Sequence, residues 1–482
     1  MSLFRRAKIV CTLGPATATA ERIGQLIDAG MNVARLNLSH GSREVHQQLL
    51  DRVRSEAATR GAYVAVLADL QGPKVRLGKF TLGEHSLVQG ANFVITTEEI
   101  LGDSSRASTT YKGLAKDCLP GDMLLIDDGK ISLQISKIVG GEIHTVVRNG
   151  GPISDSKGIN APGSSLSVPA LSEKDVADLE WALKAGVDLV ALSFVRTAAD
   201  ITGVHECMVR MNVRVPVIAK IEKPQALSNL DEIVAAFDGL MVARGDLGVE
   251  LPIEEVPLVQ KRCIMVAREN AKPVIVATQM LDSMINSPSP TRAEATDCAN
   301  AILDGADALM LSGETSIGNF PIEAVAMMSR IIAKTEKEAL AEVAPLRHNP
   351  HTKSGAITKA AAEVGAVVGA RFLVAFTQSG DSARRMSRLR SVIPILALTP
   401  EPGSAHQLAL SWGVEPMLIP PAKHTDEMVK QIDSALLDSG RAAVGEYIVI
   451  VAGSPPGIPG STNAMRVHRI GDAVGGIAPA YR

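Results

Sequence analysis

The sequence predicts an α/β protein in three parts: a (β/α)₈ barrel, a β-barrel-like lid domain inserted into it, and a C-terminal α/β domain with a parallel sheet. Eight short runs of Val, Ile, Leu and Ala alternate with amphipathic stretches in the first two-thirds of the chain. Nearly continuous apolar strands of this kind are typical of a parallel sheet covered on both faces. A segment rich in Gly, Asp and Ser interrupts the series once, and a new set of apolar runs follows after about residue 340. A chain of 482 residues is also too long for a single hydrophobic core.

The eight apolar runs predict the strands of the barrel, since eight βα units match a closed barrel with helices outside it. They occupy residues 8–13, 32–36, 64–69, 188–193, 215–221, 239–243, 274–278 and 308–312.

The interruption falls between the third and fourth runs, and its alternating patterns predict a small antiparallel β domain. An insertion at the carboxyl end of a barrel strand is where an active-site lid would lie. Four further runs, at 371–376, 394–398, 414–419 and 447–452, predict the sheet of the C-terminal domain. We therefore expect barrel segments at 1–71 and 169–340, the lid at 72–168 and the C-terminal domain at 341–482.

Composition and charge argue against several classes of protein. The formal net charge of −3 does not suggest binding to nucleic acid or to a membrane surface, and no apolar stretch has the length of a membrane span or the form of a signal peptide. The five cysteines are scattered without a CxxC pair, which is typical of free thiols in a reducing compartment. We expect a cytoplasmic protein.

Polar residues follow almost every predicted barrel strand, at the end where barrel enzymes place their catalytic groups. One such residue alone is typical of a cap or a surface group, but so many of them predict one shared catalytic mouth. They are Arg35, Asn37, Ser39, His40, Asp69, Lys220, Glu222, Arg244, Gly245, Asp246, Thr278, Gln279, Ser312 and Glu314.

The types of these residues favour phosphoryl transfer. Two carboxylates, Glu222 and Asp246, suit a hard divalent cation that keeps waters and substrate oxygens as its other ligands. Lys220 lies two residues from Glu222 and so on the same strand face. Arg35 and Arg76 add positive charge for phosphate groups. Cations and metal ligands without an obvious nucleophile predict a reaction catalysed mainly by positioning and charge stabilisation.

Six collinear motifs make the prediction specific: MNVARLNLSHG (31–41), AKIEKP (219–224), MVARGDLGVE (241–250), ATQMLDSM (277–284), PTRAE (290–294) and LSGET (311–315). In order and spacing they resemble the signature blocks of the pyruvate kinases, and the resemblance covers essentially the whole chain. It implies a TIM barrel with lid and C-terminal domain, transfer of the phosphoryl group of phosphoenolpyruvate to ADP to give pyruvate and ATP in the final step of glycolysis, a need for Mg²⁺ or Mn²⁺, and a homotetramer.

The resemblance also implies roles for individual residues. Glu222 and Asp246 match the metal ligands, and Lys220 matches the lysine that offsets charge on the transferred phosphoryl group. The backbone N–H groups of Gly245 and Asp246 match those that bind the pyruvate carboxylate. Thr278 matches a threonine of the substrate pocket, and the positions around ADP and the transferred phosphate are matched by Arg35, Asn37, His40, Arg76 and Lys157.

The donor of the proton that converts enolpyruvate to pyruvate is left open. We favour a water held by Thr278 over Lys220, and Ser312 and Glu314 could lie on the route of that proton.

One segment departs from the pattern of K⁺-dependent relatives. They hold K⁺ with Asn, Ser, Asp and Thr around a segment reading DTKGPEIR, whereas residues 69–76 read DLQGPKVR. Asn37, Ser39 and Asp69 remain, but Leu70 offers no side-chain oxygen and Lys74 brings a fixed positive charge. We predict a vestigial monovalent-cation site and activity without K⁺, with the Lys74 ammonium in its place. The alternative is a solvent-facing Lys74 beside a conventional ion.

A second phosphate site is predicted in the C-terminal domain, where TQSGDS (377–382) follows a strand and precedes a helix. Thr377, Ser379, Gly380 and Ser382 resemble the effector loop of allosteric pyruvate kinases, although a plain strand–helix connection reads the same way. The last loop has Ser454 and Pro455 where relatives that respond to fructose 1,6-bisphosphate carry Trp and Arg. We therefore expect activation by a sugar monophosphate or AMP.

Two other functions fit parts of the sequence. A metal-dependent aldolase or lyase of the same barrel type would share the ARGDLG-like turn, but it would lack the inserted lid and the C-terminal domain. A catalytically inactive sensor of phosphorylated metabolites would keep only the effector loop, and binding of Mg²⁺ or Mn²⁺ at Glu222 and Asp246 separates it from an enzyme.

Overall fold

The computed structural model describes residues 5–473 apart from positions 82, 165, 455 and 459, so Pro455 of the last loop lies outside the described residues. The first barrel segment contains β1 (Lys8–Thr12), α1 (Ala20–Ala29), β2 (Val33–Asn37), α2 (Arg43–Thr59) and β3 (Ala65–Asp69). Both helices begin at a hydroxyl cap: Thr19 and Ser42 each accept a hydrogen bond from a backbone N–H of the first turn.

The lid domain follows β3. It contains β4 (Glu84–Leu87), β5 (Asn92–Thr96), β6 (Arg106–Ser108), α3 (Leu114–Asp117), β7 (Met123–Ile126), β8 (Ile131–Val139), β9 (Glu142–Asn149), β10 (Gly151–Ser154) and β11 (Ile159–Asn160). Six strands form a sheet in the order β11-β7-β8-β9-β5-β6, and β10 pairs with β4. The bridges Arg76–Gly158 and Leu77–Thr109 link the two edges of the six-stranded sheet, which confirms a barrel-like lid.

The second barrel segment runs from α4 to α12. It contains α4 (Glu173–Ala185), β12 (Leu189–Leu192), α5 (Thr202–Met211), β13 (Val217–Ile221), α6 (Pro224–Ser228), α7 (Leu230–Ala236), β14 (Gly239–Ala243), α8 (Arg244–Glu250), α9 (Val256–Glu269), β15 (Val274–Ala277), α10 (Arg292–Asp304), β16 (Ala308–Leu311), α11 (Gly313–Ser316) and α12 (Pro321–Ala339).

Eight parallel strands close the barrel in the order β1-β16-β15-β14-β13-β12-β3-β2. Each observed strand begins and ends within two residues of the predicted run. Buried aliphatic side chains fill the interior, including Val10, Leu67 and Ile275, while a larger apolar layer lies between the strands and the surrounding helices. The barrel is therefore a packed core with its polar groups at the strand ends.

The C-terminal domain contains α13 (Lys353–Val368), β17 (Phe372–Phe376), α14 (Asp381–Ser387), β18 (Ile395–Thr399), α15 (Pro402–Leu408), β19 (Val414–Leu418), α16 (Thr425–Asp438), β20 (Tyr447–Gly453) and β21 (Thr462–Arg469). The four predicted strands are parallel to one another, as expected. The sheet is nevertheless mixed, since β21 was not predicted and pairs antiparallel with β20 at one edge.

The C-terminal domain covers the amino-terminal face of the barrel, opposite the catalytic mouth. Ala409 and Leu410 join the apolar cluster inside the barrel. The Lys8 ammonium at the start of β1 donates to the Val414 carbonyl at 2.8 Å. Arg390 forms a buried ion pair of 3.0 Å with Asp307, which immediately precedes β16.

The five cysteines are buried and free, as predicted. Among the helices of the described residues, none has the length and apolar character needed to cross a membrane.

Candidate active site

Four charged side chains form a buried network at the mouth of the barrel. Arg35 Nε lies 2.7 Å from Asp69 Oδ2, and Lys220 Nζ lies 3.2 Å from Asp69 Oδ1 and 2.9 Å from Glu222 Oε1. Asp69 and Glu222 are each 1% exposed. Burial would raise the pKa of Asp69, but Lys220 and Arg35 together lower it below its ordinary value. The strand ends at β2, β3 and β13 therefore meet as predicted and hold two cations beside two carboxylates.

The Lys220 ammonium is kept charged by this network. Burial alone would lower the pKa of Lys220, yet the carboxylates of Asp69 and Glu222 raise it above its ordinary value. Its third acceptor is the hydroxyl of Ser193, at 2.7 Å, and that hydroxyl in turn donates to the Leu70 carbonyl at 2.8 Å. Ser193 had no predicted role, although it ends a predicted strand where a polar residue signals the mouth.

Glu222 and Asp246 fit the requirements of a divalent-metal site. One oxygen of Glu222 accepts a hydrogen bond from the Phe194 N–H at 2.8 Å, which orients the carboxylate. Burial, and then the negative charge of Glu222, raise the pKa of Asp246 to about 6. Within the described residues Asp246 has no cationic side chain within 4.0 Å, so a metal ion would relieve the repulsion between the two carboxylates.

The donor set is also of the right size for Mg²⁺. The described part of the chain contains no cluster of three or more His, Cys, Asp and Glu side chains placed to hold a metal. A site of two carboxylates leaves coordination positions for water and substrate oxygens, which is how Mg²⁺ is usually held in phosphate chemistry.

Thr278 lies on a strained turn directly beside Gly245. Its φ of 70° is in the left-handed region, and φ of the next residue, Gln279, is 53°. Thr278 Oγ1 accepts a hydrogen bond from the Gly245 N–H at 2.7 Å and donates to the Ala277 carbonyl at 2.6 Å. The Gly245 N–H that was expected to bind a carboxylate is thus paired with the hydroxyl of a predicted substrate residue.

Arg244 supports this turn and does not extend into the mouth. Its guanidinium donates to both oxygens of Asp297, at 2.7 and 2.8 Å, and to the Thr278 carbonyl at 2.8 Å. Its inclusion among the residues of the mouth is therefore corrected, because the side chain at the start of α8 turns toward α10.

Glu314 is buried beneath the eighth strand end. Its two oxygens accept backbone hydrogen bonds from Leu281, at 3.1 Å, and from Ser312, at 2.7 Å. Burial raises the pKa of Glu314 above its ordinary value. The carboxylate joins the loop after β15 to the loop after β16.

The segment that departs from the K⁺-dependent pattern lies beside the metal site. The side chain of Leu70 is buried, and that of Lys74 is exposed. Lys74 borders the cleft that Asp246 also lines, and its positive charge lowers the pKa of Asp246. Asn37 Oδ1 accepts a hydrogen bond from the Ser39 N–H at 3.2 Å. The predicted K⁺ ligands that remain are thus grouped at the ends of β2 and β3.

The expected nucleotide residues come from both sides of the cleft. His40 is exposed after β2. On the lid, Arg76 donates to the Ser156 carbonyl at 3.0 Å, and Lys157 pairs with Asp127 at 2.9 Å. Arg76 and Lys157 therefore share one edge of the lid.

A lid-to-barrel contact borders the same cleft. Asn160 of the lid donates to Glu250 Oε1 at 2.8 Å, and the Lys223 ammonium lies 2.5 Å from the same oxygen. Glu250 is buried at the end of α8, the helix that carries Asp246. This contact, which the sequence did not reveal, connects the position of the lid to the metal-binding helix.

The predicted effector loop lies between β17 and α14, as expected. Thr377 Oγ1 accepts a hydrogen bond from the Gly380 N–H at 3.0 Å, and the hydroxyl of Ser382 lies 2.6 Å from that of Thr462. Ser379 lines a small pocket between this loop and the last loop of the domain.

Comparisons with known proteins identify the family of the chain. The family model described as pyruvate kinase, barrel domain matches residues 4–325, and the model described as pyruvate kinase, alpha/beta domain matches residues 355–468. A pyruvate kinase of Mycobacterium tuberculosis is 56% identical, covering 98% of this chain and 99% of the relative. One of Corynebacterium glutamicum is 54% identical over 97% of this chain and 98% of the relative.

The architecture matches as well. The crystal structure of a pyruvate kinase from Cryptosporidium parvum superposes with a TM-score of 0.90 at 35% identity, covering 97% of this chain and 96% of that one. The fold of this chain, a closed eight-stranded barrel with a lid after its third strand and a C-terminal domain, is thus similar to that of this pyruvate kinase over nearly the whole chain. The chain belongs to the pyruvate kinase family, whose members generally use Mg²⁺, and it converts phosphoenolpyruvate and ADP to pyruvate and ATP.

Proposed function

We propose that phosphoryl transfer takes place at the barrel mouth, with Glu222 and Asp246 as ligands of Mg²⁺ or Mn²⁺ and with Lys220 and Arg35 facing the transferred group. The observation that carries this proposal is the buried network in which Asp69 and Glu222 hold Lys220 and Arg35 in place. A bound divalent cation would supply positive charge to the phosphoryl and enolate oxygens. The network holds these charged side chains together before substrate binds, which is the advantage of a preorganised site.

The reaction has two steps. An oxygen of the β-phosphate of ADP attacks phosphorus, and the bond from phosphorus to the enol oxygen breaks, which leaves enolpyruvate. A proton then adds to the methylene carbon, so that phosphoenolpyruvate, ADP and one proton give pyruvate and ATP. We assign Arg35, Asn37, His40, Arg76 and Lys157 to ADP and the transferred phosphate, and Thr278, Gly245 and Asp246 to the pyruvate portion.

Binding of Mn²⁺, followed by electron paramagnetic resonance, tests the metal ligands separately from turnover. Replacement of Glu222 by Gln should weaken Mn²⁺ binding at least about tenfold, because even residues that only support metal ligands contribute that much. Glu254→Gln is the matched control, since Glu254 is exposed beyond the end of α8. Unchanged Mn²⁺ affinity in Glu222→Gln would refute the assignment.

For the proton, we propose a water held by Thr278. The raised pKa of Lys220 argues against loss of its proton during turnover. Both oxygens of Glu314 accept backbone N–H groups, and we propose that Glu314 and Ser312 act on the proton route by holding the loop beside Thr278. Thr278→Ala should slow exchange of the methyl protons of pyruvate about 100-fold. Thr296→Ala, on the exposed face of α10, should leave that exchange unchanged.

We further propose that activity does not require K⁺, because the Lys74 ammonium supplies the missing charge. The buried Leu70 side chain, which offers no ligand oxygen, supports this proposal, as does the position of Lys74 beside the cleft that Asp246 also lines. Pyruvate release should be equally fast with K⁺ and with tetramethylammonium. In the double variant Leu70→Thr, Lys74→Glu, release should become dependent on K⁺. Activity of the natural chain only with K⁺ would refute the proposal.

The loop of Thr377, Ser379, Gly380 and Ser382 is proposed to bind the phosphate of a sugar monophosphate or of AMP and to activate the enzyme. Its hydroxyls lie together beside the last loop, which supports this proposal. Glucose 6-phosphate or AMP should lower the phosphoenolpyruvate concentration at half-maximal rate, and fructose 1,6-bisphosphate should not. Ser382→Ala should abolish the response, whereas Ser439→Ala on the surface should keep it.

The remaining proposals concern organisation. We propose a homotetramer in the cytoplasm, and a division of the chain at residues 71/72, 168/169 and 340/341 into barrel, lid, barrel and C-terminal domain. Sedimentation velocity measures the number of subunits in the assembly, and limited proteolysis locates the domain boundaries.

A further inference from the structure

The loop of residues 38–41, which connects β2 to α2, is fixed in position although His40 is exposed. Its backbone N–H groups pair with the ends of two strands. The Leu38 N–H donates to the Asp69 carbonyl at 3.0 Å, and the His40 N–H donates to the Asn37 carbonyl at 3.2 Å. The carbonyl groups of Leu38 and His40 accept hydrogen bonds from side chains of two helices. Both polar backbone groups of these two residues are therefore paired within the protein.

The first carbonyl is bound by an ammonium from α4. Lys174 Nζ lies 2.7 Å from the Leu38 carbonyl oxygen and 2.5 Å from Oδ2 of Asp178, one turn further along the same helix. The start of α4 is itself held in place, because Asp175 accepts the Gly72 N–H at 3.0 Å where the chain enters the lid. Asp175 is fully buried. The ammonium therefore reaches the loop from a fixed point.

The second carbonyl is bound by a buried imidazole. His46, in the first turn of α2, is 6% exposed, and its Nε2 lies 2.8 Å from the His40 carbonyl oxygen. Because a carbonyl oxygen only accepts, Nε2 carries the hydrogen. Nδ1 has no hydrogen-bond partner among the described residues, and the ring packs against Trp181 at a centroid distance of 6.0 Å. Since a buried nitrogen without a partner is costly, the bond to the loop is what an imidazole contributes here that an apolar side chain would not.

We propose that Lys174 and His46 are positioning residues for ADP, which act by holding the loop that presents His40. The inference rests on the proposed function, in which Asn37 and His40 bind the nucleotide. A loop that is ordered before the ligand arrives lowers the entropic cost of binding. The effect should therefore fall on KM for ADP, while phosphoenolpyruvate, assigned to groups such as Thr278 after other strands, should bind as before.

Replacement of Lys174 by Met tests the first contact, because Met removes the ammonium and keeps the length of the side chain. Asp178 retains Arg43 as a partner at 2.9 Å, so its carboxylate is not left unpaired. KM for ADP, from initial rates of pyruvate release, should rise about fivefold, a modest effect because the Lys174 side chain is 50% exposed. KM for phosphoenolpyruvate and kcat should stay within about twofold. Lys334→Met, which removes a comparable i,i+4 pair with Glu338 on α12, is the matched control and should change none of the three.

Two replacements of His46 test the second contact. His46→Leu removes the N–H and keeps an apolar side chain, so KM for ADP should again rise about fivefold. His46→Gln places an amide N–H near the position of Nε2 and should bring KM back to within about twofold of the natural value. His85→Leu is the matched control, because His85 of β4 also donates from Nε2 to a backbone carbonyl, that of Thr81 at 2.6 Å, and packs against Phe80 at 5.7 Å. It should leave KM for ADP unchanged.

The variant His40→Ala separates this inference from the function on which it rests. A higher KM for ADP in His40→Ala, Lys174→Met and His46→Leu would support both. A higher KM in His40→Ala alone would keep His40 as an ADP residue and overturn the positioning role. An unchanged KM in all three variants would overturn the assignment of the loop to ADP as well. An equal rise of KM for phosphoenolpyruvate in Lys174→Met would also overturn the inference, because it would indicate a general loosening of the mouth. Where His46→Leu does not fold, Lys174→Met decides.

Discussion

Ser193 joins the buried Lys220 ammonium to the backbone at Leu70, and its replacement by Ala tests whether that junction positions the ammonium for catalysis. The hydroxyl accepts from Lys220 at 2.7 Å and donates to the Leu70 carbonyl at 2.8 Å. A hydrogen bond to a charged group contributes about 1.5–3 kcal/mol. Since each 1.36 kcal/mol of barrier is about a tenfold change in rate, Ser193→Ala should lower kcat/KM for phosphoenolpyruvate about 10–100-fold.

The chain offers a matched control at the opposite end of the barrel. The hydroxyl of Ser387 also accepts from a buried cation, Arg390, at 3.3 Å, and donates to a backbone carbonyl, that of Trp412, at 2.6 Å. Ser387→Ala should therefore lower the free energy of unfolding by a similar amount as Ser193→Ala, without a comparable loss of kcat/KM.

The assay is continuous measurement of pyruvate release at saturating ADP, with thermal unfolding of each variant as the test of folding. A kcat/KM for Ser193→Ala within about twofold of the natural chain would refute the positioning role, because it would correspond to less than about 0.5 kcal/mol. Equal losses of kcat/KM in Ser193→Ala and Ser387→Ala would also refute it, since a general loosening of the barrel would then explain both.

Three further predictions concern other contacts. Asp297→Asn removes the charge that holds Arg244 under the loop after β15, and kcat/KM should fall about tenfold, measured by pyruvate release. Asn160→Ala removes the lid-to-barrel bond to Glu250, so KM for ADP should rise about fivefold in initial-rate measurements, with no change in Mn²⁺ affinity. Burial lowers the pKa of Lys8 from its ordinary value of 10.5 to about 8 in the folded protein. The cost of burying its charge is thus full below pH 8 and disappears as pH rises toward 10.5, so the stability of the natural chain relative to Lys8→Met should increase by up to about 3 kcal/mol over that range in chemical unfolding. A difference between the two that is independent of pH would contradict the burial of a charged ammonium.

The barrel strands could be predicted because an apolar run reports burial directly, and all eight runs lie inside the closed sheet. Strand β21 could not be predicted in this way. It is a largely exposed edge strand in which apolar residues are mixed with polar ones such as Asn463 and Arg466. Its pattern does not differ from that of a polar loop.

The polar residues of the mouth could be predicted by position but not by partner. The end of β13 identified Lys220 and Glu222, whereas the hydroxyl of Ser193 that completes the ammonium environment depends on the register of a neighbouring strand. Arg244 shows that position in the sequence does not fix the direction of a side chain. It lies in a signature motif at a strand end, yet at the start of α8 its side chain turns toward Asp297.

The C-terminal domain covers the amino-terminal face of the barrel, so the two ends of a barrel strand have separate roles. One end contacts the C-terminal domain, and the other carries residues of the mouth. A strand of five residues spans about 16 Å, so the groups at its two ends do not touch. Asp307 precedes β16 and is paired with the C-terminal domain, while Glu314 follows the same strand and anchors the catalytic loops. Substitutions at the amino-terminal ends of the strands can therefore change the contact with the C-terminal domain during evolution while the atoms that meet the substrate stay the same.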